Sequence, residues 1–372
     1  MRSHRAAGVT VTLAVVGVAL LLVGVPAPAA ASPSHAGLGA TTGPTVLKNV
    51  SLTGSLTALT FDPVNGRLYA LDLASGHLLA LNGSTGAQVA QIGGFDGAVG
   101  PCYYPCSLAV DPLNGTVYVP DGHRIVMVDV HDRVVGAIHS SFVPYTLTID
   151  PVAQELFVTN SRPWITVFSL TTDQLVAQIP IVCTGPSGLH RNYAGQFTGT
   201  VYDPSTGWVD AASSWYSYSL MAGTTCVSAI DPAHNNSILH THRSSYGESG
   251  AMAVDPALDR VFFLNNLFGG GFGAVETVNA SSTRYVSLEY PYFAANWGWS
   301  TTALAFDGAA HTLFVTDSNG TSSFLTALDP HTGNLTGWAP VGVDPVGVVV
   351  DSRTGDLWVA NGSPAVLTEV QP

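Results

Sequence analysis

The chain has 372 residues, of which 10% are charged, and its formal net charge is −13. Lys48 is the only lysine and no basic cluster follows the first residues, which excludes a nucleic-acid or anionic-membrane surface built on Lys and Arg. An acidic, weakly charged, Gly/Ser/Thr-rich composition suits an extracellular protein, and the length fits one large all-β domain.

Arg2, His4 and Arg5 precede an apolar run from Val9 to Val25, and Ala29-Ala30-Ala31 then offers small residues to a signal peptidase. Residues 1–31 read as an export signal cleaved near Ser32. The alternative is an uncleaved N-terminal anchor, because the run approaches the lower limit of a membrane span. This is the only segment through which the chain is expected to meet a membrane. No cysteine follows it, so no lipid anchor is expected. Residues 32–44 are Ser, Pro, Gly, Thr and Ala-rich and read as a flexible leader.

From residue 45 onward one phrase recurs: a short apolar strand that stops at an acid. It ends at Asp62, Asp111, Asp150, Asp203, Asp255, Asp307 and Asp351. The spacing stays near about 40–50 residues, the length of a propeller blade. In one unit, Ser107–Val110 is a first strand and Asp111-Pro112-Leu113-Asn114-Gly115 a tight turn, in which the carboxylate accepts from turn N–H groups, Pro presets φ and Gly supplies positive φ. Thr116–Val119, Arg124–Val130 and Val134–Ile138 follow as second, third and fourth strands. The expected fold is a single all-β domain over residues 45–372, a seven-bladed β-propeller of four-stranded antiparallel blades. Units between Asp203 and Asp307 carry insertions, such as Leu267–Gly273, that are expected as rim loops. The last unit has three strands only, so Thr45–Leu52 is expected to supply its fourth and close the ring.

The strings Leu156-Phe157-Val158-Thr159-Asn160, Leu313-Phe314-Val315-Thr316-Asp317 and Leu357-Trp358-Val359-Ala360-Asn361 resemble the Tyr-Val-Thr-Asn motif of YVTN β-propeller repeats, a WD40-like class of repeat. The fourth and fifth units keep the pattern but not the letters, as in Val209-Asp210-Ala211-Ala212. The resemblance implies a seven-bladed propeller that is secreted or displayed at the cell surface. It implies no common chemistry, since related propellers include lactonases and lyases as well as binding proteins.

Four cysteines in an exported chain point to two disulfides. Three pairings are open; Cys102–Cys106 as a local clip and Cys183–Cys226 as a link across blades are favoured. Asn-x-Ser/Thr sequons at Asn49, Asn82, Asn114, Asn235, Asn279, Asn319, Asn334 and Asn361 license N-glycosylation in a host with the machinery, which would make the chain a glycoprotein, although such tripeptides also arise by chance in Ser/Thr-rich sequence.

Second strands end at Asp72, Asp121, Asn160, Asn265, Asp317 and Asn361, and these are expected to ring one mouth of the channel. Links between blades add Tyr103, Tyr104, His190, Arg191, Tyr193, Glu248, Trp297 and Trp299 to the same face. Aromatics beside carboxylates and amides make a ligand-binding face. The structural alternative is that each Asp or Asn bonds the backbone of its own loop. Oxygen ligands in the ring suit a divalent cation such as Ca2+, although no dense Asp-x-Asp-x-Asp loop occurs. His240 and His242 share one strand face and read as a solvent-facing pair without a third ligand. No Gly-x-Ser-x-Gly elbow marks a nucleophile, and Gly269–Gly273 opens no helix, so it reads as a loop and no phosphate cradle.

The reading is an exported, non-catalytic binding or scaffold module, monomeric, with no catalytic residue, resident metal or cofactor. Its partner is an envelope protein, a glycan or a small molecule. The alternative is a cation-dependent, lactonase-like or lyase-like propeller enzyme using the Asp/Asn ring.

Overall fold

The computed structural model describes residues 43–372, apart from 73, 96–105, 161, 163, 182–195, 218–221, 246–247, 268–271, 280–284, 287–299 and 319–321. Within strands, side chains are described except at 196–198, 215–217, 222–224, 244–245, 248–249, 265–267, 272–277, 285–286 and 300–301.

Twenty-eight strands form seven four-stranded antiparallel sheets. The chain enters through β1 (Thr45–Ser51). Blade 1 is β2 (Ala58–Asp62), β3 (Arg67–Asp72), β4 (His77–Asn82) and β5 (Gln88–Ile92). Blade 2 is β6 (Ala109–Val110), β7 (Val117–Asp121), β8 (Arg124–Val128) and β9 (Val134–His139). Blade 3 is β10 (Pro144–Asp150), β11 (Glu155–Asn160), β12 (Trp164–Ser169) and β13 (Leu175–Pro180). Blade 4 is β14 (Gln196–Asp203), β15 (Trp208–Ser217), β16 (Ala222–Asp231) and β17 (Ser237–Ser245). Blade 5 is β18 (Glu248–Asp255), β19 (Arg260–Leu267), β20 (Phe272–Asn279) and β21 (Tyr285–Val286). Blade 6 is β22 (Ser300–Asp307), β23 (Thr312–Ser318), β24 (Ser323–Leu328) and β25 (Leu335–Val341). Blade 7 is β26 (Pro345–Val350), β27 (Leu357–Asn361) and β28 (Val366–Gln371), completed by β1.

The acidic punctuation is the turn-former of the fold. Each of the seven aspartates is 3% exposed or less. Each accepts a hydrogen bond from the backbone N–H two residues on: Val64 at 2.8 Å, Leu113 at 3.0 Å, Val152 at 2.8 Å, Ser205 at 2.8 Å, Ala257 at 2.9 Å, Ala309 at 2.8 Å and Arg353 at 2.9 Å. A carboxylate that satisfies turn donors reverses the chain from first to second strand without stranding backbone polar groups.

Second strands are buried on both faces, as their unbroken apolar letters require. In β3, Tyr69 and Leu71 pack on Val117 and Val119 of blade 2, whereas Leu68 and Ala70 pack on Trp358 and Ala360 of blade 7. Each sheet is thus a wedge between its neighbours. The third letter of the wedge is aromatic and buried in six blades: Tyr69, Tyr118, Phe157, Phe262, Phe314 and Trp358.

The N-terminal strand closes the ring as expected. β1 pairs antiparallel with β28, from Thr45 opposite Gln371 to Ser51 opposite Val366. Val46 packs against the blade 6–7 core and Val50 against the blade 7–1 core. Lys48 Nζ reaches Glu369 at 2.6 Å, and Thr368 donates to Asn49 Oδ1 at 2.8 Å. The insertions of units four and five differ from the expected rim loops. They lengthen strands: β15 and β16 have 10 residues each, Leu267 ends β19, and Phe272-Gly273 opens β20.

Removing residues 45–51 should lower the stability of the whole ring by at least about 2 kcal/mol, the burial of Val46 and Val50 alone, with the newly bared edge of β28 adding to it. Thermal unfolding followed by circular dichroism checks this; a truncated chain melting with the intact one would contradict it.

Candidate functional site

The innermost strands of all seven blades enclose an axial cavity of about 160 Å³. Among the described residues its wall is made of small and apolar side chains with four hydroxyls, Ser107, Thr146, Thr200 and Thr302, and holds no acid, base or imidazole. The hydroxyls hold the ring together. Ser107 Oγ accepts from Leu147 N at 2.9 Å and donates to its carbonyl oxygen at 3.3 Å, joining blades 2 and 3. Thr148 Oγ1 donates to the Thr200 carbonyl at 3.0 Å, joining blades 3 and 4. Thr146 and Thr302 bond Thr159 and Thr316 on their own second strands, both at 2.7 Å.

None of the described second-strand terminal side chains lines this cavity. The described ones are buried and engaged. Asp72 accepts from Ser75 N at 3.2 Å, and Gly54, on the link arriving from blade 7, lies so close that a Cβ there would sit 1.8 Å from Asp72 Oδ2. Asp121 accepts from Arg124 Nε at 2.8 Å, and the same guanidinium donates to the carbonyl of Gly94 on the link arriving from blade 1. Asn160 accepts from Arg162 N at 2.7 Å and donates to the Trp164 carbonyl at 3.2 Å, across its own loop. Asn361 donates to the Val366 carbonyl at 3.0 Å and to Thr368 at 3.2 Å, under Gly342 of the link from blade 6. Asn361 is fully buried, so its sequon is out of reach of a transferase in the folded ring. Asp121 therefore holds the incoming link of its blade through Arg124, and Asp72 and Asn361 are tightly overlain by glycines of theirs.

Asp317 is the chemically distinct member. It is 3% exposed and accepts from Thr326 Oγ1 at 2.8 Å. Burial pushes its carboxyl up to about 7, with the Thr326 bond opposing. Phe324 and Trp338 stack edge to face nearby on the same blade, with centroids 5.2 Å apart.

Tyr103, Tyr104, His190, Arg191, Tyr193, Trp297, Trp299, Cys102 and Cys183, with the side chains of Asn265 and Glu248, lie outside the described residues. The signal segment 1–31 and residues 269–271 of the Gly-rich stretch lie outside them too. Cys106 and Cys226 are buried, and among the described residues no cysteine is free. Among the described residues no three His, Cys, Asp or Glu side chains form a metal-holding group.

The histidine pair departs from expectation. His242 is only 7% exposed, and His240 stacks on His242 at 5.0 Å and on Trp208 at 5.8 Å. Trp208 on β15 packs edge-on against His240, which in turn packs against the buried His242. Sequence reasoning also missed Asp210, a fully buried acid at the wedge position that the other six blades fill with an aromatic. Superposing the seven second-strand strings would have exposed the exception. The network in which Tyr69 Oη donates to Asp132 Oδ1 at 2.9 Å, with Arg67 also bonded to Asp132, ties blade 1 to blade 2 and had no local signal.

These features define a seven-bladed β-propeller. The β-propeller domain of Cps50 (Swd1) from Myceliophteria thermophila is similar, with a TM-score of 0.64 at 10% identity, covering 88% of this chain and 99% of that one. The hydrazine synthase of Kuenenia stuttgartiensis matches with the same TM-score at 13% identity, covering 86% of this chain and 96% of that one. No family model matches the sequence, and no curated protein does. At such identities the likeness concerns the fold.

Two outcomes test the site geometry. Asp317 is protonated in the folded ring below about pH 7 and ionises in the unfolded chain near about pH 4. The folded state thus holds the extra proton, and stability falls as pH rises from about 4 to about 7, by up to roughly 4 kcal/mol. Asp317→Asn, which keeps an acceptor for Thr326, should remove that part of the slope in denaturant titrations across this range; an unchanged slope would refute the assignment. Separately, Gly54→Ala should cost about 1–3 kcal/mol, from its positive φ and the clash with Asp72. In a double-mutant cycle Asp72→Ala should recover part of the loss; strictly additive losses would show that the two do not interact.

Proposed function

We propose that this chain is exported and acts as a non-catalytic binding or scaffold module, presenting the loop-bearing face of its propeller to a partner at or outside the cell envelope. The observation that carries the reading is the axial cavity: among the described residues its wall offers no acid, base or imidazole, and its hydroxyls already serve bonds between or within blades. General acid–base, nucleophilic or metal-assisted chemistry needs such groups free and aimed at a common point. The described strand-end carboxylates and amides support the same view, because most are engaged in holding loops and links.

Recognition then falls to the loop side chains of that face, where the sequence gathers Tyr103, Tyr104, Tyr193, Glu248, Trp297 and Trp299. Aromatic bodies with polar tips recognise protein, glycan or small-molecule partners equally well. Export is supported by the N-terminal charge and apolar pattern. The absence of a free cysteine among the described residues is in keeping with the proposed Cys102–Cys106 and Cys183–Cys226 disulfides. Membership of the YVTN repeat class belongs to the same proposal and rests on the quoted strings.

The test compares binding of the exported chain and its Trp297→Ala/Trp299→Ala variant to a fractionated envelope extract, with metal content measured on protein purified without chelator. Capture that the double variant loses supports the proposal, and equal capture overturns the assignment of that face. A stoichiometric divalent ion that disappears in Asp121→Ala and Asp317→Ala would replace it with the cation-dependent enzyme.

A further inference from the structure

Six of the seven seams between blades are filled by the aromatic third letter of a second strand. Tyr118 packs with Leu156 and Val158 of blade 3, Phe157 with Val209 and Ala211 of blade 4, and Phe314 with Leu357 and Val359 of blade 7. The equivalent residue of blade 4 is Asp210, directed by the same alternation at blade 5. Ala212, two residues along the same face, packs there against Val261 and Phe263. Asp210 is 1% exposed and its Oδ2 has no hydrogen-bond partner.

We infer that the seam between blades 4 and 5 is a pH-sensitive joint, held closed with Asp210 as a neutral acid and opening more readily as rising pH favours the ionised carboxylate in water. The groups around it support this from every side. On β14, Val201 is directly opposite and Asp203 lies close enough to disfavour a second negative charge. On β15 its same-face neighbours are Trp208 and Ala212. On β16 the opposite residue is Ala229, while Asp231 at the strand end is held by His234 at 2.5 Å. On β17, His240 lies in the same row, its ring packed against Trp208 and His242. From blade 5, the turn between β18 and β19 contributes Asp259, a second like charge, and Val261, Phe263 and Val278 join the shared cluster, while the side chain of Glu276, opposite Phe263 on β20, lies outside the described residues. An ionised carboxylate in this wedge has two acids for company and an apolar wall in front of it.

The sign follows. Burial, reinforced by Asp203 and Asp259, raises the acid well above the ordinary carboxylate range. With the seam closed the proton stays on; once the seam opens, the carboxyl meets water and loses it. Opening therefore becomes more favourable as pH rises from the ordinary carboxylate range, by about tenfold per pH unit until Asp210 ionises in the closed seam.

The experiment is hydrogen exchange, corrected for intrinsic rates, between pH 5 and pH 8. It uses the full chain in an Asp317→Asn background, which removes the raised acid of blade 6; burial also raises Asp62 and Glu155, which lie in blades 1 and 3, so blades 2 and 7 serve as the comparison. Protection in β15, β16, β18 and β19 should fall about tenfold per unit over at least part of that range, while blades 2 and 7 hold theirs. Asp210→Asn should abolish the local fall, and Asp210→Ser, which also cannot ionise, serves if the amide does not fold. An equal fall in the non-ionising variant, a fall spread evenly over all seven blades, or no fall at all would overturn the inference.

Discussion

Everything in this molecule depends on closure. A wedge-shaped sheet with apolar residues on both faces is stable only if both faces are covered, and in a ring each sheet covers two others. One missing strand leaves an open edge and two half-covered faces. The last blade takes its outer strand from residues 45–51, so the two ends of the described chain are held together by backbone pairing, by Lys48 on Glu369 and by Asn49 on Thr368. That junction converts seven local repeats into one cooperative object.

Within the ring, polar chemistry is spent on geometry. Seven buried aspartates turn first strands into second strands, and Asp121 fastens the link from blade 1 through Arg124, while Asp72 and Asn361 lie packed beneath theirs. The small residues beside them are part of the same device: Gly54 and Gly342 lie where any Cβ would collide with the acid or amide beneath. Threonine and serine hydroxyls stitch neighbouring inner strands around the axis. A carboxylate at a strand end of such a fold is therefore first a structural part, and a site must be sought among the acids that lack this employment. Asp210 and Asp317 are two that neither form a strand-ending turn nor hold a link, one without a partner at Oδ2 and one with a single hydroxyl donor.

The architecture was largely legible because its causes are local. An apolar run followed by Asp-Pro-x-x-Gly contains both the strand and the reason it ends, and the three-strand last unit announced the closure. Less was legible about the candidate site. Asp72 and Asp121 look alike in the string, yet one sits under a glycine from another blade and the other holds an arginine that grips a link carbonyl. His240 and His242 read as exposed from their neighbours in sequence, yet His242 is buried and His240 packs on Trp208, 32 residues away. The extra residues of blades 4 and 5 read as loops because length alone does not say whether a hairpin is extended by pairing.

By itself, then, the amino-acid order determined the number of blades, the strands in each, the turn chemistry and the partner of the first strand, since periodicity and turn formation are properties of a few consecutive residues. Only the tertiary structure decided which polar groups are used up in holding the ring, that the described residues of the axial wall are uncharged, and that one seam contains an acid where six contain an aromatic. Those facts depend on which face of a strand meets which neighbouring blade, and burial of a charge is set by residues that come from elsewhere in the chain.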